Sequence, residues 1–174
     1  MFGIGNFDAF FNGFHGKFLK PGDRIEGGAQ IAAIHPDGGA RQPIAVGRGF
    51  TNPRWSPDGK ALLTFNTGIG GMILDLGAGF GSPVKQDLPP VSPGVLFWPI
   101  AWSPDGALVA GTAVTAGQVG DIHVWSVAER AYRRMPWNRG EQVDYSLVFI
   151  DRDTLVYGSS GELWLGNIRG GEPK

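Results

Sequence analysis

"PRWSPDGKALLTF" at 53–65 and "IAWSPDGALVAGT" at 100–112 share W-S-P-D-G followed by a short apolar run. The two tryptophans, Trp55 and Trp102, lie 47 positions apart. A further step of 47 reaches Phe149 in "LVFIDRDTLVYGS" (147–159), where Phe replaces Trp and "IDRD" replaces "SPDG". The five residues have a mechanical reading. Pro presets its own φ, Asp can bond the backbone two residues on, and Gly takes the φ > 0 position. That makes a tight connection between two antiparallel strands. The Trp before it is large and apolar, suited to wedging between neighbouring sheets.

Outside the turns the repeat continues. "DIHVWSV" (121–127) and "ELWLGNI" (162–168) each follow the apolar run after a Gly-rich gap, and "GMILDL" (71–76) and "QIAAIHPDGG" (30–39) fit the same slot. Each unit then offers about four short strands. The spacing predicts them over 52–56, 60–66, 71–76 and 83–88 in one unit, and over 98–103, 107–114, 121–127 and 131–136 in the next. The last unit supplies strands one to three over 145–168, with its fourth strand missing. Four antiparallel strands per 40–50 residues is the signature of a β-propeller. The predicted fold is therefore all-β, a propeller of four-stranded antiparallel blades, with three to four blades in this chain.

"WSPDGKALLTF" and "AWSPDGALVAG" resemble the PD40 repeats of TolB-like propellers. "SPDGALVAGT…GDIHVWSV" is also similar to a WD40 repeat, with Trp125-Ser126 where a Trp-Asp pair would stand, but the Gly-His pair of true WD40 repeats is absent. The resemblance covers residues 28–174 and implies a non-catalytic scaffold that binds a protein or peptide. Residues 1–27 are a separate Phe-rich segment with two readings. Phe7, Phe10, Phe11, Phe14 and Phe18 form a helical stripe, which Asn6 could cap. Alternatively "HGKFLK" (15–20) is a worn copy of "DGKALL" and supplies a blade strand. The stripe favours the helix. Three to four blades fall at or below the usual count for a closed ring. That leaves a fragment of a longer reading frame, a strained four-bladed monomer, or two chains in one ring, with self-association through unpaired blade edges.

Composition narrows the function classes. Gly 29 and Pro 13 in 174 residues, with 18% charged residues, suit strands and tight turns rather than a helical bundle. A net charge of −1 gives no basis for general nucleic-acid binding. The chain has no Cys, so disulfides, Cys-based zinc sites and thiol catalysis are excluded. No apolar run reaches the length of a membrane span. The N-terminus lacks the pattern of a signal peptide. The expectation is a soluble protein, cytoplasmic as it stands and periplasmic if the true N-terminus lies upstream.

"GMILDLGAGFGS" (71–82) resembles the first motif of S-adenosylmethionine-dependent methyltransferases, with Gly77, Gly79 and Gly81 at alternate positions. Such a loop must open into a helix whose N-terminus faces the cofactor. Here "SPVKQDLPPVSPG" follows, and Pro83, Pro89, Pro90 and Pro93 prevent that helix. The glycines read instead as a wide hairpin connection, and no cofactor is expected. "YGSSGE" (157–162) lacks the spacing of a nucleophile elbow. His123 reads as a packed or edge imidazole, and Asp151 and Asp153 as turn residues. No catalytic or metal-binding residues are assigned, and the chain is expected not to be an enzyme. "ERAYRRMPWNRG" (129–140) is the one basic aromatic cluster, read as a charged outer strand that blocks edge pairing, with pairing to a nucleic acid or an acidic peptide as the less favoured alternative.

Propeller partners usually meet the face built by connections between blades. Here these are about 47–53, 89–98 and 137–144, and they nominate Arg48, Phe50, Arg54, Trp98, Trp137 and Arg139 as exposed partner-binding residues. A rival reading of a different class is the substrate-gating propeller of a prolyl-oligopeptidase-type serine peptidase, whose catalytic domain is absent from this chain.

Overall fold

In a computed structural model of the chain, the described residues are 8–11, 30–34, 42–46, 50–80, 83–116, 118–136, 143–171 and 174. Among them, fourteen strands make four antiparallel sheets, each with its strands in sequence order. Sheet one contains β1 (Asp8–Phe11), β2 (Gln30–Ile34) and β3 (Gln42–Val46). Sheet two contains β4 (Phe50–Trp55), β5 (Ala61–Asn66), β6 (Gly70–Asp75) and β7 (Val84–Asp87). Sheet three contains β8 (Leu96–Trp102), β9 (Leu108–Thr115), β10 (Gln118–Ser126) and β11 (Ala131–Arg134). Sheet four contains β12 (Val143–Phe149), β13 (Thr154–Ser159) and β14 (Glu162–Asn167).

The repeated turns build these sheets. Ser56 N–H donates to the Ala61 carbonyl at 2.9 Å, and Gly59 N–H to the Ser56 carbonyl at 2.9 Å. Ser103 does the same toward Leu108 and Gly106. Gly59 and Gly106 both sit at φ 70°, where a Cβ would be strained. The worn turn of the last repeat is a residue shorter, closing from Ile150 N–H to the Thr154 carbonyl at 3.1 Å. Asp151 Oδ1 accepts the Asp153 and Thr154 amides, each at 2.8 Å, so this carboxylate has the expected turn role. Proline enters the first strands of sheets two and three beside register shifts, Pro53 in β4 and Pro99 in β8, where the regular ladder is interrupted.

The sheets stack through their faces in chain order. β4 packs on β1 and β2; β8 packs on β4, β5 and β6; β12 packs on β8, β9 and β10. Ile31, Ala33 and Ile44 of sheet one meet Leu62, Met72 and Leu74 of sheet two. Leu63 and Ile73 on the other face of sheet two meet Phe97, Val109 and Trp125 of sheet three. Ala101, Ala110, Ile122 and Val124 then meet Leu147, Phe149, Leu155 and Tyr157 of sheet four. Alternation along the middle strands of sheets two and three, β5, β6 and β9, thus buries both faces, as a stack of blades requires.

One expectation changes. A strand, not a helix, forms over Asp8–Phe11, paired to β2 from Asp8↔Ile34 to Phe11↔Ile31. The Phe stripe had the helical period, but the ladder offered by β2 satisfies this backbone instead. Asn6, Phe7 and "HGKFLK" lie outside the described residues. Among the described residues the last sheet has three strands, as expected. Lys174 and Leu165 exchange two backbone hydrogen bonds, at 2.8 and 3.0 Å. The Gly-rich stretch after β6 is a turn, with Gly77 N–H donating to Asp75 Oδ1 at 2.8 Å, and it leads into β7. No helix of the described residues is long and apolar enough to cross a membrane.

Candidate binding cleft

The inner strands β4, β8 and β12 end together at their turns, and an open cleft of about 550 Å³ lies across them. Ile100, Ala101 and Leu147 are buried beneath it. Trp55, Trp102 and Pro57 line one side and Val148 and Leu163 the other. Arg54 is the one charged residue among the lining. Its Nη1 donates to the Pro53 carbonyl at 3.2 Å, and Trp102 Nε1 donates to the Arg54 carbonyl at 3.4 Å. The indole of one repeat is thereby tied to the inner strand of the repeat before it. Three other arginines are paired, Arg134 with Asp121 at 2.6 Å, Arg152 with Asp105 at 3.1 Å and Arg169 with Asp153 at 2.7 Å. Arg54 has no carboxylate partner among the described residues. An apolar, aromatic trough with a single cation suits a ligand with apolar groups and one anionic group.

Of the nominated residues, Arg54 reaches this cleft. Phe50 and Trp98 do not have the expected exposure. Phe50 is 5% and Trp98 8% exposed. Phe50 packs into the core between sheets one and two. Trp98 stacks on Phe65 of sheet two, ring centroids 4.8 Å apart and planes 13° from parallel. The connection before Trp98 ends sooner than expected, because β8 starts at Leu96 and carries Trp98 into the interface between sheets. Arg48, Trp137 and Arg139 lie outside the described residues. Trp102, Val148 and Leu163 were missed. The repeat held the signal: Arg54, Ala101 and Val148 each precede the repeated aromatic, and Trp102 is that aromatic.

The other singled-out groups have local roles. His123 is buried, its Nδ1 3.2 Å from the Asp121 carbonyl, and burial holds its pKa below the usual histidine value. On the outer strand β11, Arg134 pairs with Asp121 while Tyr132 packs inward against Phe97 and Trp125. Among the described residues, no three or more His, Cys, Asp or Glu side chains group as metal ligands.

No protein-family profile matches the chain, and no curated protein matches it in sequence. Solved structures do match in fold. An oligogalacturonate lyase in complex with manganese superposes with a TM-score of 0.68 at 13% identity, over 86% of this chain and 46% of its own. The oligogalacturonate lyase of Vibrio parahaemolyticus gives 0.68 at 11%, over 86% and 46%. TolB from Acinetobacter baumannii gives 0.65 at 19%, over 84% and 37%. The chain spans less than half the length of each of these proteins. With the repeated turns, the four-stranded sheets and their face-to-face stacking, this likeness makes the fold a run of TolB-like β-propeller blades.

Proposed function

We propose that this propeller is a non-catalytic scaffold that binds an extended peptide segment of a partner protein in the cleft over β4, β8 and β12. The observation that carries the reading is Arg54, a guanidinium with no carboxylate partner among the described residues, set among aromatic and aliphatic lining. Such an arrangement selects a peptide with apolar side chains flanking one carboxylate. Arginine and tryptophan are the residue types that most often anchor protein interfaces.

The test is a displayed random-peptide library panned on the full chain. Enriched peptides are expected to carry an Asp or Glu beside apolar residues. Arg54→Glu should weaken their binding about tenfold or more, and Trp102→Ala by a similar factor. Failure to enrich any sequence, or binding indifferent to both substitutions, overturns the reading. A parallel assay offers oligogalacturonate with manganese, in view of the lyase neighbours. Turnover there would replace a scaffold with an enzyme.

A further inference from the structure

We propose that Asn52 is the positioning residue of the cleft: its left-handed backbone turns Arg54 outward to meet a bound carboxylate, a role that rests on the peptide-binding reading of the cleft. Four non-glycine residues among those described have positive φ, Asn52 at 53°, Ala116 at 49°, Arg130 at 53° and Ser160 at 53°. Ala116, Arg130 and Ser160 lie in turns between strands, whereas Asn52 lies inside one, β4. Asn52 also precedes Pro53, and a residue before proline is ordinarily held extended. Backbone in this region is strained for a side-chain-bearing residue and persists where its surroundings impose it.

The register shows what the strain accomplishes. Thr51 pairs with Phe65 and Arg54 with Leu63, so Asn52 and Pro53 together stand opposite Thr64. That is a β-bulge, with an extra residue on β4. Thr64 is fully buried, and its Oγ1 donates to the Thr51 carbonyl at 2.7 Å, which ties β5 to the bulge. The extra residue inverts the alternation of the strand. Phe50 and Trp55 are an odd number of positions apart, so a regular strand would put them on opposite faces. Here both pack with the core between sheets one and two. Phe50 and Arg54 are an even number apart, so a regular strand would drive Arg54 into that core. The bulge instead places Arg54 beside Leu63, on the face toward sheet three. There Arg54 is exposed, lines the cleft, and lends its carbonyl to Trp102 Nε1. The next repeat gives the contrast. β8 also has an extra residue, Ile100, between the pairs Pro99↔Gly111 and Ala101↔Ala110. Its bulge forms without a left-handed residue, and the equivalent of Arg54 is the buried Ala101. The left-handed residue and the outward cation coincide in β4.

The test compares Asn52→Gly, Asn52→Ala and Asn52→Val in the full chain. Glycine enters the left-handed region freely, alanine with strain, and valine resists it. The probes are two blocked fluorescent peptides of alternating leucine and serine, one with a central aspartate and one with asparagine in its place. The parent and Asn52→Gly should prefer the aspartate peptide about tenfold. Asn52→Val should lose that preference, as Arg54→Ala does, and bind the asparagine peptide within about twofold of the parent. Asn52→Ala should fall between them, and it takes the place of Asn52→Val if that variant lacks a cooperative urea transition. A preference that survives in Asn52→Val overturns the proposal. So does equal weakening of both peptides, which is the mark of a merely structural role. If the parent binds neither peptide, the reading of the cleft fails by itself. The role of Asn52 is then read from phenylglyoxal modification of Arg54, followed by mass spectrometry with the paired Arg134 and Arg169 as references. Asn52→Val should slow that modification several-fold against the parent and Asn52→Gly, and an unchanged or faster rate overturns the proposal.

Discussion

Ser103 Oγ donates to Asp105 Oδ1 at 2.6 Å and accepts the Leu108 amide at 2.9 Å; one repeat earlier Ser56 binds Asp58 and Ala61 at 2.7 and 2.9 Å. In both turns the carboxylate also accepts a backbone amide, from Ala107 or Lys60, at 3.1 Å. The serine hydroxyl thus bridges the turn carboxylate and the start of the second strand. It is buried in both repeats. Replacing either serine with alanine removes both bonds and leaves the strand amide without its partner. Ser56→Ala and Ser103→Ala should each cost about 1 kcal/mol in urea unfolding.

The same carboxylates set an acid limit. The serine hydrogen bond, aided by the backbone amide, holds Asp58 and Asp105 below the usual carboxylate pKa of 3.8. The folded chain then binds fewer protons than the unfolded chain as pH falls below 3.8. The stability these groups contribute is present above that pH and is lost as pH falls toward their folded pKa. Both are solvent-exposed, so the loss is modest. Asp58→Asn with Asp105→Asn should flatten the fall in urea midpoint below about pH 4, compared with the parent.

These turns were legible because all their bonds lie within six residues of sequence. The strand order and the Gly-rich connection after β6 were legible for the same reason. The cleft was not. Phe50 and Trp98 sit beside connections, where exposure is the local expectation, but their burial is decided by residues of other strands, Ile31, Ile44 and Leu62 around Phe50 and Phe65 beside Trp98. The strand at Asp8–Phe11 depends on a partner segment, Ile31–Ile34, far along the chain, which a helical period within one segment does not register.

Gly111 and Gly71 let Pro99 approach two strands. A Cβ on Gly111 would lie 2.3 Å from the Trp98 carbonyl oxygen and 2.8 Å from Pro99 Cα. On Gly71 it would lie 2.5 Å from Pro99 Cδ. Two of the Gly111 contacts are with backbone, which cannot swing aside, and the third is with Phe97 Cζ. Gly111→Ala should therefore cost about 3 kcal/mol. Gly71→Ala should cost less, because it presses first on the ring of Pro99. Gly68, with only Asn66 Oδ1 at 3.7 Å, is the control. Gly68→Ala should stay within about 0.5 kcal/mol of the parent in the same urea titration.

His123 acts in a higher window than the turn carboxylates. Burial lowers its folded pKa below the ordinary 6.5. Below that pH the unfolded chain takes up a proton that the folded chain refuses. Its contribution is complete above pH 6.5 and is lost as pH falls toward the folded pKa. His123→Gln should flatten the urea midpoint between about pH 7 and pH 5 and leave the acid limb of the aspartates in place. A parent midpoint that is level across this window would show that His123 is not desolvated.

Tyr132 joins three parts of the chain. Its hydroxyl donates to the Pro89 carbonyl at 2.6 Å, in the connection between β7 and β8. Its ring meets Trp125 and Phe97 at 4.6 and 4.9 Å between centroids. Burial pushes the phenol above its ordinary pKa of 10.0. The unfolded chain therefore ionises first as pH rises, and stability that is whole below about pH 10 declines above it. Tyr132→Phe keeps the ring contacts and removes one hydrogen bond, for a cost of about 1 kcal/mol at neutral pH. Tyr132→Ala also removes the ring, and should cost about 3 kcal/mol. The two variants separate bond from packing. Tyr132→Phe should further lose part of the alkaline decline. If the two cost the same, the hydroxyl bond to Pro89, and not the aromatic contact, would hold the outer strand to the blade connection.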